Sequence, residues 1–238
     1  MFKQIVAAAA LAGTLSGLML TGVQQIEIAP LIRAAEVQEA ASVAAQAATG
    51  VQVHAGWEPR AGWERLGATA VANIVLATAF ALLLGAAMSL RQRFGWRAGL
   101  AWGIAGYAVF FVAPALGLAP ELPGADAAPL ADRQMWWVGT VSCSAAGVWL
   151  AAFAKMPLLR GLGVALVVAP HVLGAPQPQA GAVPSDADAA RAFIRATYLA
   201  NAVLWLALGL LVGVLCKPGT PARNAGGVRT SSDSDSAR

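Results

Sequence analysis

Six runs of mainly apolar residues constrain this chain more than any other feature: Ile5–Ile26, Leu66–Leu90, Ala98–Leu118, Met135–Ala154, Leu158–Leu173 and Phe193–Cys216. No Asp, Glu, Lys or Arg falls in the middle of any of them. A helix needs about 20 such residues to cross the hydrocarbon of a bilayer. Only helices and closed barrels satisfy their backbone there. The expected fold is therefore all-α, a polytopic transmembrane helix bundle. Its count is six spans, or five if the short, Pro170-containing run Leu158–Leu173 is re-entrant. Charged residues make up 12% of the chain, about half the share usual in a soluble domain.

Charge chooses between five and six. With six spans the connectors alternate between two sides. One side takes Lys3, Arg91, Arg93, Arg97, Lys155, Arg160, Lys217, Arg223, Arg229 and Arg238; the other takes Arg33, Arg60, Arg65, Arg133, Arg191 and Arg195. On the first side the short connectors nearest the spans are richest in Arg and Lys, so the positive-inside rule puts both termini in the cytoplasm. Five spans would place the basic C-terminal segment outside. With six, 10 of the 12 acids face outward, Asp233 and Asp235 being the exceptions. One reading is an acidic vestibule that concentrates cations; the other is that outer loops avoid Lys and Arg and keep ordinary acids.

Residues 1–217 read as one transmembrane helical domain with a long outer loop, 27–65, followed by a Ser-, Gly- and Arg-rich tail, 218–238, expected to be disordered. Lys3 before an apolar run imitates a signal peptide, but Ile5–Ile26 is long for one and no small-residue cleavage site follows, so it reads as a retained span. In the outer loop, Pro30 suits the first position of a helix over Leu31–Ala48, which would set Glu36 and Glu39 on one face. Gly13/Gly17, Gly99/Gly103 and Gly209/Gly213 have the spacing that lets membrane helices approach closely. Trp57, Trp63, Trp96, Trp136 and Trp137 fall where an aromatic belt would.

Few polar groups remain inside the spans: Gln24, Gln25, Asn73, His171 and Asn201. Each serves either as an interhelical hydrogen bond or as part of a site. His171 stands out because imidazole ligates divalent transition metals and because it follows Pro170, which disturbs the helix. Backbone freed at such a break can line a polar path, as in transporters. The competing reading is a histidine at the outer interface. Val112–Pro120 (VAPALGLAP) and Val168–Pro176 (VAPHVLGAP) echo one another, which suggests two proline-broken helix ends facing each other. The candidate metal residues are His171 with Glu121 or Glu58, backed by His54, Glu36 and Glu39 from the outer loop.

Other functions find little support. The basic residues lie between apolar runs and form no patch with aromatics, which excludes nucleic acid. Cys143 and Cys216 form no CxxC, and HExxH, GxSxG and GxxxxGK[ST] are all missing, so neither an enzyme nor an ATPase is expected. No permanently bound cofactor is called for.

Several uncommon combinations resemble the cobalt transporter subunit family CbtA. They include Pro120-Glu121-Leu122-Pro123-Gly124, Arg133-Gln134 with Trp136-Trp137, and Pro170-His171 with Gly174-Ala175-Pro176-Gln177-Pro178. Gln24-Gln25, Trp57-Glu58-Pro59, Asn73, Gly99 to Gly103 and Asn201 extend the likeness to about Lys217. The resemblance implies a multi-pass subunit of the bacterial cytoplasmic (inner) membrane that takes up cobalt, associated with cobalamin supply. It also implies a small single-span partner with a His-rich end (CbtB-like). Members of this family often carry a His-rich stretch in the long outer loop; here it is reduced to His54. A non-transporting scaffold that organises the partner is the alternative.

Overall fold

The computed structural model describes residues 2–47, 59–125, 127–177 and 186–216, and every regular element among them is a helix. Helix α1 (Phe2–Val23) runs through a π turn, Gln24–Ile28, into α2 (Ala29–Ala47). Helix α3 (Trp63–Arg91) follows. Then α4 (Trp96–Tyr107) passes through a second π turn, Ala108–Val112, into α5 (Ala113–Gly117). The last three are α6 (Leu130–Phe153), α7 (Pro157–Leu173) and α8 (Ala187–Leu215).

Both π turns have the same cause. A proline inside a helix offers no N–H to the carbonyl four residues back, and its ring strikes that carbonyl. Widening the preceding turn relieves the clash. Ahead of Pro30 the Ala29 N–H bonds the Gln24 carbonyl, and ahead of Pro114 the Ala113 N–H bonds the Ala108 carbonyl, each five residues back. The first helix therefore does not stop at Ile26. Pro30 is absorbed within a continuing helix instead of opening a new one, so the segment expected as outer loop begins as helix up to Ala47. The third Ala-Pro step inside a helix, Ala169–Pro170, passes without a π turn, and α7 ends three residues later at Leu173, before Gly174 with its φ of 84°.

Five helices, counting α1 to α2 and α4 to α5 as one each, are long and apolar enough to cross a bilayer. Helix α7 is shorter, with 17 residues, about 25 Å of rise. It is unbroken through Pro170 and lies antiparallel along α6, with Gly147 against Gly163 and Trp136 against His171.

The core is made of small residues and one large ring system. Ala9, Ala12, Ala77, Ala81 and Ala200 are fully buried, while Leu11, Leu15, Leu18, Val71 and Val75 point outward. That inversion is what lipid permits, since tails are as apolar as leucine and helix association depends on close packing. All three GxxxG spacings are used within the chain. A Cβ on Gly13 or Gly17 would strike the α3 backbone at Thr78 or Ile74. Gly99 and Gly103 face Gly209 and Gly213, and the Gly95 N–H bonds the Gly213 carbonyl at 2.8 Å. Trp205, also fully buried, rests on Gly106 and packs against Phe80 and Phe110. Helix α8 thus touches α1, α3 and α4 and sits at the centre.

The antiparallel pairs collect Lys3, Arg91, Arg93, Arg97, Lys155 and Arg160 at one end, which carries no acid among the described residues. Glu27, Glu36, Glu39, Glu64, Glu121, Asp132, Asp186 and Asp188 gather at the other.

Candidate functional site

The acid-bearing end holds two clefts of one construction. The first, of about 950 Å³, lies between the first π turn with α2 and the start of α3. Gln24, Gln25 and Asn73 line its inner part, Arg33, Glu36 and Arg65 its outer part. Asn73, buried in α3, donates to Thr21 Oγ1 at 3.0 Å and to Gln24 Oε1 at 2.7 Å, pinning α3 to the π turn. Arg65, in the first turn of α3, spans the cleft with one guanidinium nitrogen 2.9 Å from both Glu36 oxygens. The second cleft, of about 630 Å³, lies between the second π turn with α5 and the start of α6. Pro114, Glu121, Arg133 and Gln134 line it, and Arg133, in the first turn of α6, approaches Glu121 at 3.6 Å. Each cleft therefore has a π turn, an Ala-Pro step, a glutamate shortly after it, and an arginine from the next helix holding that glutamate. At the head of α8, Asp188 and Arg191 pair within the helix itself and face solvent.

His171 ties the two VAP segments together, as their echo suggested. Its Nε2 lies 3.0 Å from the carbonyl of Ala113 in the first segment, and its Nδ1 lies 3.1 Å from Val167 in its own helix. Trp136 meets the imidazole edge-on, ring centroids 6.2 Å apart, and packs over Gly117. A neutral imidazole has one N–H. It donates to one carbonyl and holds a lone pair against the other oxygen, whereas a protonated ring donates to both.

The other candidate residues are dispersed. Glu36 lies in the first cleft and Glu121 in the second, and Glu39 lies beside Gly124, between the two. His54 and Glu58 lie outside the described residues. Among the described residues no three His, Cys, Asp or Glu side chains group closely enough to hold a metal ion. Sequence reasoning missed Arg65 and Arg133 as partners of Glu36 and Glu121. The signal was present, since each arginine opens the helix that follows its glutamate. It also missed the unpartnered buried hydroxyls of Ser16, Thr140 and Ser144.

A bundle of membrane-length helices with two proline-widened turns at one end defines a polytopic membrane protein. The chain belongs to the CbtA family, described as a probable cobalt transporter subunit, whose family model matches residues 2–217. No curated protein and no solved structure matches it.

Proposed function

We propose that the chain is the membrane subunit of an uptake transporter for a divalent transition metal, cobalt, in a bacterial cytoplasmic membrane, with the acid-bearing end outward. Family membership over residues 2–217 carries this reading. The charge pattern supports the orientation, since the end whose short connectors beside the spans carry Lys3, Arg91, Arg93, Arg97, Lys155 and Arg160 would face the cytoplasm.

In this reading the metal passes from the second cleft to His171. Glu121 borders the cleft with Pro114, and His171 holds the carbonyl of the preceding Ala113. Cobalt takes imidazole nitrogen together with oxygen ligands. The imidazole nitrogen facing Ala113 would turn from that carbonyl to the ion, and Glu121 would leave Arg133. Arginine-held carboxylates keep the clefts closed to cations until an ion competes for them. Glu36 and Glu39, with His54 and Glu58 of the segment before α3, would gather the ion. A small single-span partner with a His-rich end would deliver it. The chain's own part is conduction, not catalysis.

The test is uptake of radiolabelled cobalt by cells expressing the chain with that partner. Uptake by His171→Ala is expected to fall at least about ten-fold, which corresponds to losing about 1.4 kcal/mol of binding. Equal uptake would remove His171 from the path. A second reading has its own observation: Glu36 and Glu121 are already paired and both His171 nitrogens already face carbonyls, as in a scaffold that only organises the partner. A scaffold pulls down the partner while the purified chain in liposomes passes no cobalt.

A further inference from the structure

The basic end contains a gap that the clefts do not account for. Helices α6 and α7 pack along each other and join the other helices mainly through the second π turn and α5. Toward the basic end a groove of about 500 Å³ lies between α3 and α6, over α4. Ala98, Ala101 and Ala105 of α4 contribute to it, with Trp102 and Phe153 among its larger side chains. Among the described residues, the charged ones along it are Arg91, which ends α3, and Arg93 in the turn after it, both exposed. The Arg91 guanidinium lies 4.2 Å from the centre of the Phe153 ring.

The chemistry of this groove selects its occupant. A divalent cation is repelled by Arg91, Arg93 and the neighbouring Arg97 and Lys155, and the apolar walls offer it no ligand atoms. An apolar transmembrane helix, about 10 Å across, would lay only one face on this groove and would bring Arg91 and Arg93 no anion. A chain of methylenes fits, and guanidinium groups hold phosphate by paired N–H donors. Basic pockets between membrane helices take anionic head groups in this way. We propose that the groove seats one acyl chain of an anionic phospholipid, with the phosphate held by Arg91 and Arg93. The site is separate from the metal path and stands whichever ion the chain carries.

Native mass spectrometry of the full purified chain tests this, with phosphatidylglycerol and phosphatidylcholine of identical acyl chains supplied in equal amounts. The intact chain is expected to retain the anionic lipid at least about five-fold over the zwitterionic one. Arg91→Gln with Arg93→Gln is expected to bring the ratio near one, while Arg97→Gln with Lys155→Gln leaves it unchanged. Ala101→Phe, which fills the groove, is expected to lower phosphatidylglycerol retention with both arginines in place; Ala105→Leu does the same if the larger ring impairs folding. Circular dichroism and elution volume verify that each variant is folded. An unchanged ratio in the Arg91/Arg93 variant overturns the proposal. So does an equal fall in the Arg97/Lys155 variant, which would mean diffuse attraction to a basic surface. Displacement by inorganic phosphate alone would mean an anion site without an acyl seat, and overturns it too.

Discussion

Single residues in this bundle are governed by how little room and how few partners the interior offers. A Cβ on Gly209 would lie 2.4 Å from the Gly99 carbonyl oxygen and 2.7 Å from the Gly103 Cα, both backbone atoms that cannot step aside. Gly209→Val is therefore expected to lose about 1–3 kcal/mol or more of stability, by overpacking. Gly22→Val, at a site with nothing within 4 Å, should change little. Thermal unfolding in detergent compares them. Polar residues divide in the same way. Asn73 bonds two partners, and Asn73→Ala should cost about 1 kcal/mol, in the range of hydrogen bonds between membrane helices. Thr140 and Ser144 are fully buried with hydroxyls that find no partner. Thr140→Val keeps the shape and removes an unmet group, so it should be neutral or stabilising in the same assay.

At the scale of elements, the informative feature is the proline-widened turn followed by a glutamate that an arginine holds. It places Glu36 and Glu121 beside clefts but keeps each occupied by a cation of the chain's own. If Arg133 competes with the metal for Glu121, Arg133→Gln should lower the apparent KM for cobalt uptake several-fold. It should also raise leakage of other divalent ions. A higher KM would mean that Arg133 only positions the cleft. This arrangement was half legible in the sequence. Pro114 and Pro170 announced disturbed helix ends, and the VAP echo announced that the two meet, which the His171 to Ala113 contact bears out, whereas Pro30 read as the start of a helix and lies inside a continuing one. What the sequence left open was whether a proline starts, ends or bends a helix. That depends on whether packing pays for continuing beyond it. Ile28 is buried just before Pro30, and Leu31 and Ile32 just after it pack against the core, so the helix goes on. The Glu–Arg pairs were legible only in part: each arginine opens the helix after its glutamate, but whether the two meet depends on the angle at which that helix returns.

For the whole molecule, the apolar runs and the charge alternation were enough to give the bundle and the segregation of acids to one end. The inner contacts were not, because Gly and Ala are so abundant that GxxxG spacing alone does not say which pairs meet. The topology has a direct check. Six crossings put the turns at Arg93 and Lys155 on one side and those at Ala61 and Glu121 on the other. Single cysteines at these positions, in a chain with Cys143 and Cys216 replaced, should react with an impermeant thiol reagent in two opposite groups. Labelling of positions 93 and 121 from the same side would break the six-crossing order.

The central place of α8 bears on how the protein comes to be made. The helix that packs with α1, α3 and α4 leaves the ribosome after all of them and after α6 and α7. Helices α1 with α3, and α6 with α7, can pair as they insert. Yet Gly99 and Gly103 have no opposite surface, and Phe80 and Phe110 lack the ring that packs against both, until Trp205 and Gly209 arrive. A message cut short, or a ribosome stalled before position 187, would leave a set of inserted helices around an empty axis. Membrane proteases and chaperones would meet such a product as an open assembly that only the synthesis of α8 closes.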